Sequence, residues 1–169
     1  MKQKKYIYKE KNNWKEKVIQ VKRVTKVVKG GKKINFRIIL VLGNSNSKIG
    51  VGVGKANDVI SAVKKSIIDA KKNIISIPLT KDYSIPHPIQ KTSRTSKIIL
   101  KPLVKGSGII AGGSTRIILE LVGIKNILAK QLGSNNILNN ARAVINTLQN
   151  LRTFKEIAID RNIKINKLY

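Results

Sequence analysis

The chain has 169 residues, of which 35 are Lys or Arg and 8 are Asp or Glu, a formal net charge of +27 at pH 7. Such an imbalance opposes compaction by self-repulsion unless a polyanion screens it, which points to nucleic acid or an anionic membrane surface. No apolar run reaches the roughly 18 residues a spanning helix needs, and the absence of cysteine excludes disulfides, thiolate nucleophiles and Cys-based zinc sites.

Residues 1–13 form a Lys-rich arm without apolar periodicity or a secretory h-region, and without the Ser and Arg of a transit peptide. Trp14 is expected to anchor the end of this arm against a small sheet. In 17–28, Val alternates with cations, predicting a strand with one apolar and one basic face. Lys17, Lys22, Arg23, Lys26, Lys29, Lys32 and Lys33 supply the charge, and Gly30 and Gly31 a tight turn where positive φ costs little. A basic hairpin with a bare glycine tip suits phosphate and groove surfaces, while a solvated edge that blunts aggregation is the simpler alternative.

A second strand is predicted over 34–42 (INFRIILVL), then a turn over 44–47 (NSNS) and a third strand over 48–54. Glycine at alternate positions of that third strand strips one face of side chains, so another backbone or a ligand should lie close. A helix follows over 58–73, with Asn57 as N-cap and Ile60, Val63, Ile67, Ala70 and Ile74 as the buried stripe. Lys65 and Lys72 would then lie opposite the stripe, with Lys64 and Lys71 on its flank. The β-β-β-α order with a basic helix resembles double-stranded RNA-binding domains, without their leading helix.

A short strand limited by Pro78 is expected within 74–79, and the polar, proline-containing segment 81–96 reads as a linker. The second half predicts a strand over 97–104, a glycine loop over 105–113 and a helix near 114–122. A strand near 125–132 and a helix near 135–151 follow, the latter capped by Ser134 and buried along Ile137 or Leu138, Ala141, Val144 or Ile145, Leu148 and Leu151. Thr153-x-x-Glu156 is a capping box that restarts a short helix.

Chemistry-bearing motifs are weak. GVGVGKA (50–56) fails the phosphate-loop pattern twice, because Ile49 stands where the first glycine belongs and Ala56 follows Lys55. Gly106-Ser107-Gly108-Ile109-Ile110-Ala111 has dinucleotide-loop spacing but no acid about 20 residues on. His87 stands alone between prolines, and Asp58 and Asp69 read as local charge partners amid lysines. Aromatics are too few for base stacking on a sheet, which favours recognition of RNA by backbone and shape. The expectation is a binding protein and not an enzyme, with no cofactor and no metal.

RVTKVVKGGKK (23–33), VGVGKA (51–56), DAKKN (69–73), GSGIIAGGSTRIILELVGIKNILAKQLGSNN (106–136) and NNARAVINTLQNLR (139–152) resemble the bacterial-type small-subunit ribosomal protein five family, in its plastid and cyanobacterial branch. The resemblance implies an α+β protein of two domains. A double-stranded-RNA-binding-like β-β-β-α domain would span 14–80 and a small C-terminal α/β sandwich 97–152, joined by the 81–96 linker and followed by a helix and tail over 153–169. It further implies a structural role on small-subunit, 16S-type ribosomal RNA near the junction of head and body, beside the messenger path and with a bearing on translational accuracy.

Arg23, Lys26, Lys29, Gly30, Gly31, Lys32 and Lys33 would carry the RNA contact, with Lys55, Lys64, Lys65, Lys71 and Lys72 in support. Gly106, Gly108, Gly112, Gly113 and Arg116 would pack against ribosomal protein four, and a contact with protein eight is expected. An organelle-encoded plastid protein is implied, with an AT-rich bacterium as the alternative source and a free RNA chaperone or messenger-binding regulator as the alternative function. Three departures stand out. The NSNS turn lacks the glycine many relatives carry, 91–96 lacks the glycines common in that linker, and Ile137 replaces a common proline.

Overall fold

The alternating segment after Trp14 pairs with the apolar run that follows it. In the computed structural model, which describes residues 14–164, β1 (Lys15–Val28) and β2 (Gly31–Gly43) form a long antiparallel hairpin. The segment 1–13, read as a basic arm, and residues 165–169 of the tail lie outside the described residues. Val28 pairs with Gly31, so the hairpin loop is Lys29–Gly30 and not Gly30–Gly31. Gly30 alone supplies the positive φ, +91°, and Gly31 opens β2.

β3 (Lys48–Ala56) pairs antiparallel with β2, and β4 (Ile75–Ser76) adds a short edge, giving the order β1-β2-β3-β4. Between β3 and β4 lies α1 (Val59–Lys72). The glycine face of β3 receives this helix. A Cβ at Gly50 would overlap the carbonyl of Ala70, one at Gly52 the backbone of Ser66 and Ala70, and one at Gly54 the backbone of Ala62 and Ser66. The expected close backbone is therefore α1 itself.

This close approach moves the predicted stripe. The buried residues of α1 are Ala62, Ser66 and Ala70, at i, i+4 and i+8, because only small side chains fit where two backbones nearly touch. Ile60, expected in the core, is 66% exposed, while Val63 and Ile67 pack at the margin. Rotating the buried face this way puts Lys64 and Lys71 on the back of the helix and Lys65 and Lys72 on one flank, the reverse of the expectation. Asp58, not Asn57, is the N-cap, and its side chain makes no capping bond. Asp69 forms no ion pair among the described residues either. Its Oδ2 accepts a 2.9 Å hydrogen bond from the Val53 amide, on the free edge of β3.

The segment expected as a linker contributes to the second sheet. β5 (Ile89–Ser93) pairs with β6 (Ser96–Pro102) through the loop Arg94–Thr95, with Arg94 at positive φ. β8 (Ile127–Gly133) lies on the other side of β6, and β7 (Ile109–Ile110), inside the expected glycine loop, runs parallel to β8. α2 (Gly113–Val122) makes the crossover from β7 to β8.

α3 (Ile137–Gln149) buries Leu138, Ala141, Val144 and Leu148, as its periodicity predicts. Its cap is Asn136, whose Oδ1 accepts from the Leu138 amide at 3.1 Å. Ser134, the expected cap, lies two residues earlier and accepts from the Asn136 amide. Ile137 takes the first helical position, where a proline would also be at ease. α4 (Phe154–Asp160) carries both bonds of the predicted capping box.

The two sheets share a core. Ile38, Leu40 and Leu42 face α1 with Ala62 and Ala70, and Trp14 packs at the edge of that cluster. Val41, Ile49 and Val51 turn the other way and join a second cluster with Ile98, Leu100, Ile118, Leu119 and Leu148. Burial on both faces explains why 38–42 is continuously apolar rather than alternating. The glycine-free NSNS turn is held at this junction. Ser45 and Ser47, both at positive φ, donate backbone hydrogen bonds of 3.0 Å to the carbonyls of Leu121 and Val122 at the end of α2. Those carbonyls would otherwise be orphaned by the helix end. Gly123 and Ile124 complete the end as a Schellman motif, donating to Glu120 and Leu119 at 3.1 Å.

Candidate nucleic-acid interface

The interface follows from register. β3 ends at Ala56 opposite Phe36, so beyond that point β1 and β2 continue as a two-stranded ribbon without helix cover. Lys22 pairs with Arg37, which pairs with Lys55, so three cations stand in one cross-strand row on one face. Further out on the same face Lys26 pairs with Lys33. All five are exposed, and none has an ion-pair partner among the described residues. Like charges directly opposite on adjacent strands destabilise a sheet, by up to about 1 kcal/mol at 4 Å in water. An arrangement of this kind is relieved by a polyanion laid across it.

Lys26, Lys33, Lys55 and Lys65 line one cleft of about 740 Å³, in which Asp58 is the only acid. Asn35, Asn57 and Ser61 also line it, offering donors and acceptors to ribose hydroxyls as well as phosphates. Lys29 and Gly30 form the tip, with Gly31 opening β2. By strand alternation Arg23 and Lys32 stand on the opposite face of the ribbon, with Val21, Val27 and Ile34. Lys64 and Lys71 lie on the back of α1 and Lys72 at its end. The predicted cations therefore do not form a single patch: four converge on the cleft, and the others stand at the hairpin tip, on the opposite face of the ribbon and along α1.

Sequence reasoning missed two members of the row as contact residues, Lys22 and Arg37. Arg37 is hidden in an apolar run, and a turn centred on Gly30–Gly31 would set Lys22 opposite Ile39. The faces survive that two-residue change of partner, but the rows do not.

In the second half, Gly106 and Gly108 adopt positive φ, and no atom would meet a Cβ at Gly106, Gly108 or Gly113. Gly112 is the N-cap of α2, beside the Gln131 side chain. Arg116 pairs with Glu120 at 3.0 Å, and Glu120 also reaches Lys17 of β1 at 3.7 Å. These pairs are exposed and worth little in stability, but they engage Arg116 within the molecule. His87 is structural. Its Nε2 accepts from the Arg152 amide at 3.2 Å and its Nδ1 lies 3.0 Å from the Pro88 carbonyl, which together specify the Nδ1-protonated tautomer. The glycines of GVGVGKA lie under α1 and form no phosphate cradle. No cluster that could hold a metal occurs among the described residues.

Residues 14–78 match the model of ribosomal protein S5, N-terminal domain, and residues 91–161 that of ribosomal protein S5, C-terminal domain. The chain belongs to the ribosomal protein S5 family. It is 66% identical over 158 residues to small ribosomal subunit protein uS5c of Gracilaria tenuistipitata var. liui, covering 94% of this chain and 92% of that one. With uS5c of Porphyra purpurea it shares 64% over 158 residues, 94% and 91% of the two chains. With uS5 of Trichormus variabilis it shares 59% over 161 residues, 95% and 92%. The S5 family is structural and not enzymatic. The α+β architecture follows that of the two S5 domains.

Proposed function

We propose that this S5-family chain is a structural constituent of the small ribosomal subunit. It binds 16S-type ribosomal RNA near the head–body neck through the exposed half of the β1–β2 hairpin and the adjoining cleft. The uS5c relatives from red algae and cryptophytes support the plastid ribosome as its location. The observation that carries the RNA reading is the row Lys22–Arg37–Lys55 with the pair Lys26–Lys33 beyond it. These are five exposed cations on one face of the sheet, without acidic partners among the described residues.

In this reading the lysines neutralise successive phosphates as point charges, while the planar guanidinium of Arg37 engages one phosphate in bidentate fashion. Gly30 lets the tip come close to the RNA backbone. The loop 106–113 and the start of α2 form the contact with ribosomal protein four, through which the chain bears on accuracy beside the messenger path, and protein eight is a further neighbour. Sedimentation of a tagged chain through a sucrose gradient in magnesium and moderate salt tests the assignment. Co-migration with small subunits at one copy each is expected. A spread through light RNA fractions would favour a free RNA chaperone and overturn it.

A further inference from the structure

A cleft of about 1050 Å³ lies away from the hairpin and is unlike it in chemistry. Pro78, Leu79 and Pro86 line one side, and Pro102, Leu103 and Val104 the other. Val104 is 79% exposed, the highest value among the large apolar side chains of the described residues.

The two walls are fixed to each other by one side chain. Asn126, 5% exposed, accepts from the amide of Gly106 at 2.9 Å through Oδ1 and donates to the carbonyl of Asp82 at 2.9 Å through Nδ2. Its backbone carbonyl accepts from Ser84 Oγ at 2.6 Å. The prolines further restrict the walls by fixing φ. The groove is therefore preformed, and filling it costs little ordering of its own chain.

Its hydroxyls are already committed. Thr80 Oγ1 bonds within the turn to Ser84, Ser84 Oγ is used by Asn126, and Thr153 Oγ1 caps α4. What remains for a ligand is an apolar floor with three exposed lysines around it, Lys81, Lys105 and Lys155, against the single acid Asp82. RNA would gain little from a floor of prolines and aliphatic side chains in which Phe154 is the single aromatic. A second copy of a +27 chain brings mostly repulsion. An apolar strip inside a basic rim is complementary to a protein segment whose apolar side chains are flanked by Asp or Glu.

We propose that this groove docks an apolar, acid-flanked segment of a neighbouring protein in the assembled subunit. The proposal rests on the ribosomal reading above, and the protein-binding surface it adds is lined up to Lys105, directly before the 106–113 glycine loop in sequence.

The test replaces Val104 with the photoreactive residue p-benzoylphenylalanine in a tagged chain, irradiates purified small subunits and sequences the cross-linked peptide. The expected product is one protein segment carrying net negative charge and at least two large aliphatic or aromatic residues. Its yield should fall about tenfold when Lys105→Glu and Lys155→Glu are added. Cross-links to RNA, to a second copy of the chain, or to a basic or wholly polar segment would overturn the proposal. So would a chain incorporated at one copy per subunit that gives no cross-link. Absence of the unsubstituted chain from subunits would instead overturn the ribosomal reading, and the groove with it.

Discussion

Strands β1 and β2 do two different jobs along one hairpin. Near the open end, β2 is sandwiched: Ile38, Leu40 and Leu42 press on α1, and Val41 presses on the core shared with the second sheet. Past Phe36, the same two strands leave β3 behind and every residue but Val24 and Asn35 is exposed, with Val27 74% in solvent. A two-stranded ribbon alone is marginally stable in water, and this one adds facing cations. The buried end holds the ribbon in place and the bare end offers charge, so stability and binding should separate under mutation.

The largest effect should come at the buried end. In Gly52→Val the new Cβ would overlap the backbone of Ser66 and Ala70, which no rotamer change relieves. Separation of α1 from β3 is expected, with loss of more than about 4 kcal/mol and of a cooperative urea transition followed by circular dichroism. Leu40→Ala, at a fully buried site, should cost about 2–5 kcal/mol in the same measurement. Val27→Ala, on the ribbon, should stay within about 0.5 kcal/mol. A comparable loss at Val27 would mean that the ribbon is part of the folded core.

The difference between the ends also explains what can be read in the sequence. Alternating glycines in IGVGVG announce a close neighbour, another backbone or a ligand, and the structure shows it to be the backbone of α1. The helix stripe misleads for the same reason. Hydrophobic periodicity picks out the bulkiest residues, Ile60 among them, whereas a glycine-lined surface selects the smallest, Ala62, Ser66 and Ala70. β5 is hidden because IQKTS is a half-exposed edge strand, with only weak alternation to mark it. The cationic loop is legible as composition and its two faces survive either turn, but the row Lys22–Arg37–Lys55 depends on a register set by a turn one residue earlier than the paired glycines suggest.

Where the bare end meets β3, Lys22→Ala, Arg37→Ala and Lys55→Ala together should leave melting unchanged or slightly raised, since facing like charges are removed. The dependence of RNA affinity on salt should flatten by about 2–3 log units per log unit of salt, at roughly 0.7–0.9 for each phosphate no longer neutralised. Lys26→Ala with Lys29→Ala should flatten it by about 1.5 on the same scale. An unchanged slope in the triple variant, measured by filter binding from low to moderate salt, would remove the row from the RNA-binding surface. An unchanged slope in the double variant would remove the tip.

Gly30 combines a small folding effect with a direct change at the tip, which makes it the sharpest probe of function. Its φ of +91° disfavours an L side chain, yet no atom lies within 4 Å of where a Cβ would stand. Gly30→Asp should therefore cost only about 1 kcal/mol of stability, because Asp tolerates the left-handed region better than most residues. The same change puts a carboxylate at the tip of a ribbon built to meet phosphates, between Lys29 and the Lys26–Lys33 pair. Assembly into small subunits should suffer while the isolated chain still melts cooperatively. Loss of the cooperative melt would show instead that the turn directs folding, and that the two ends of the hairpin are coupled after all.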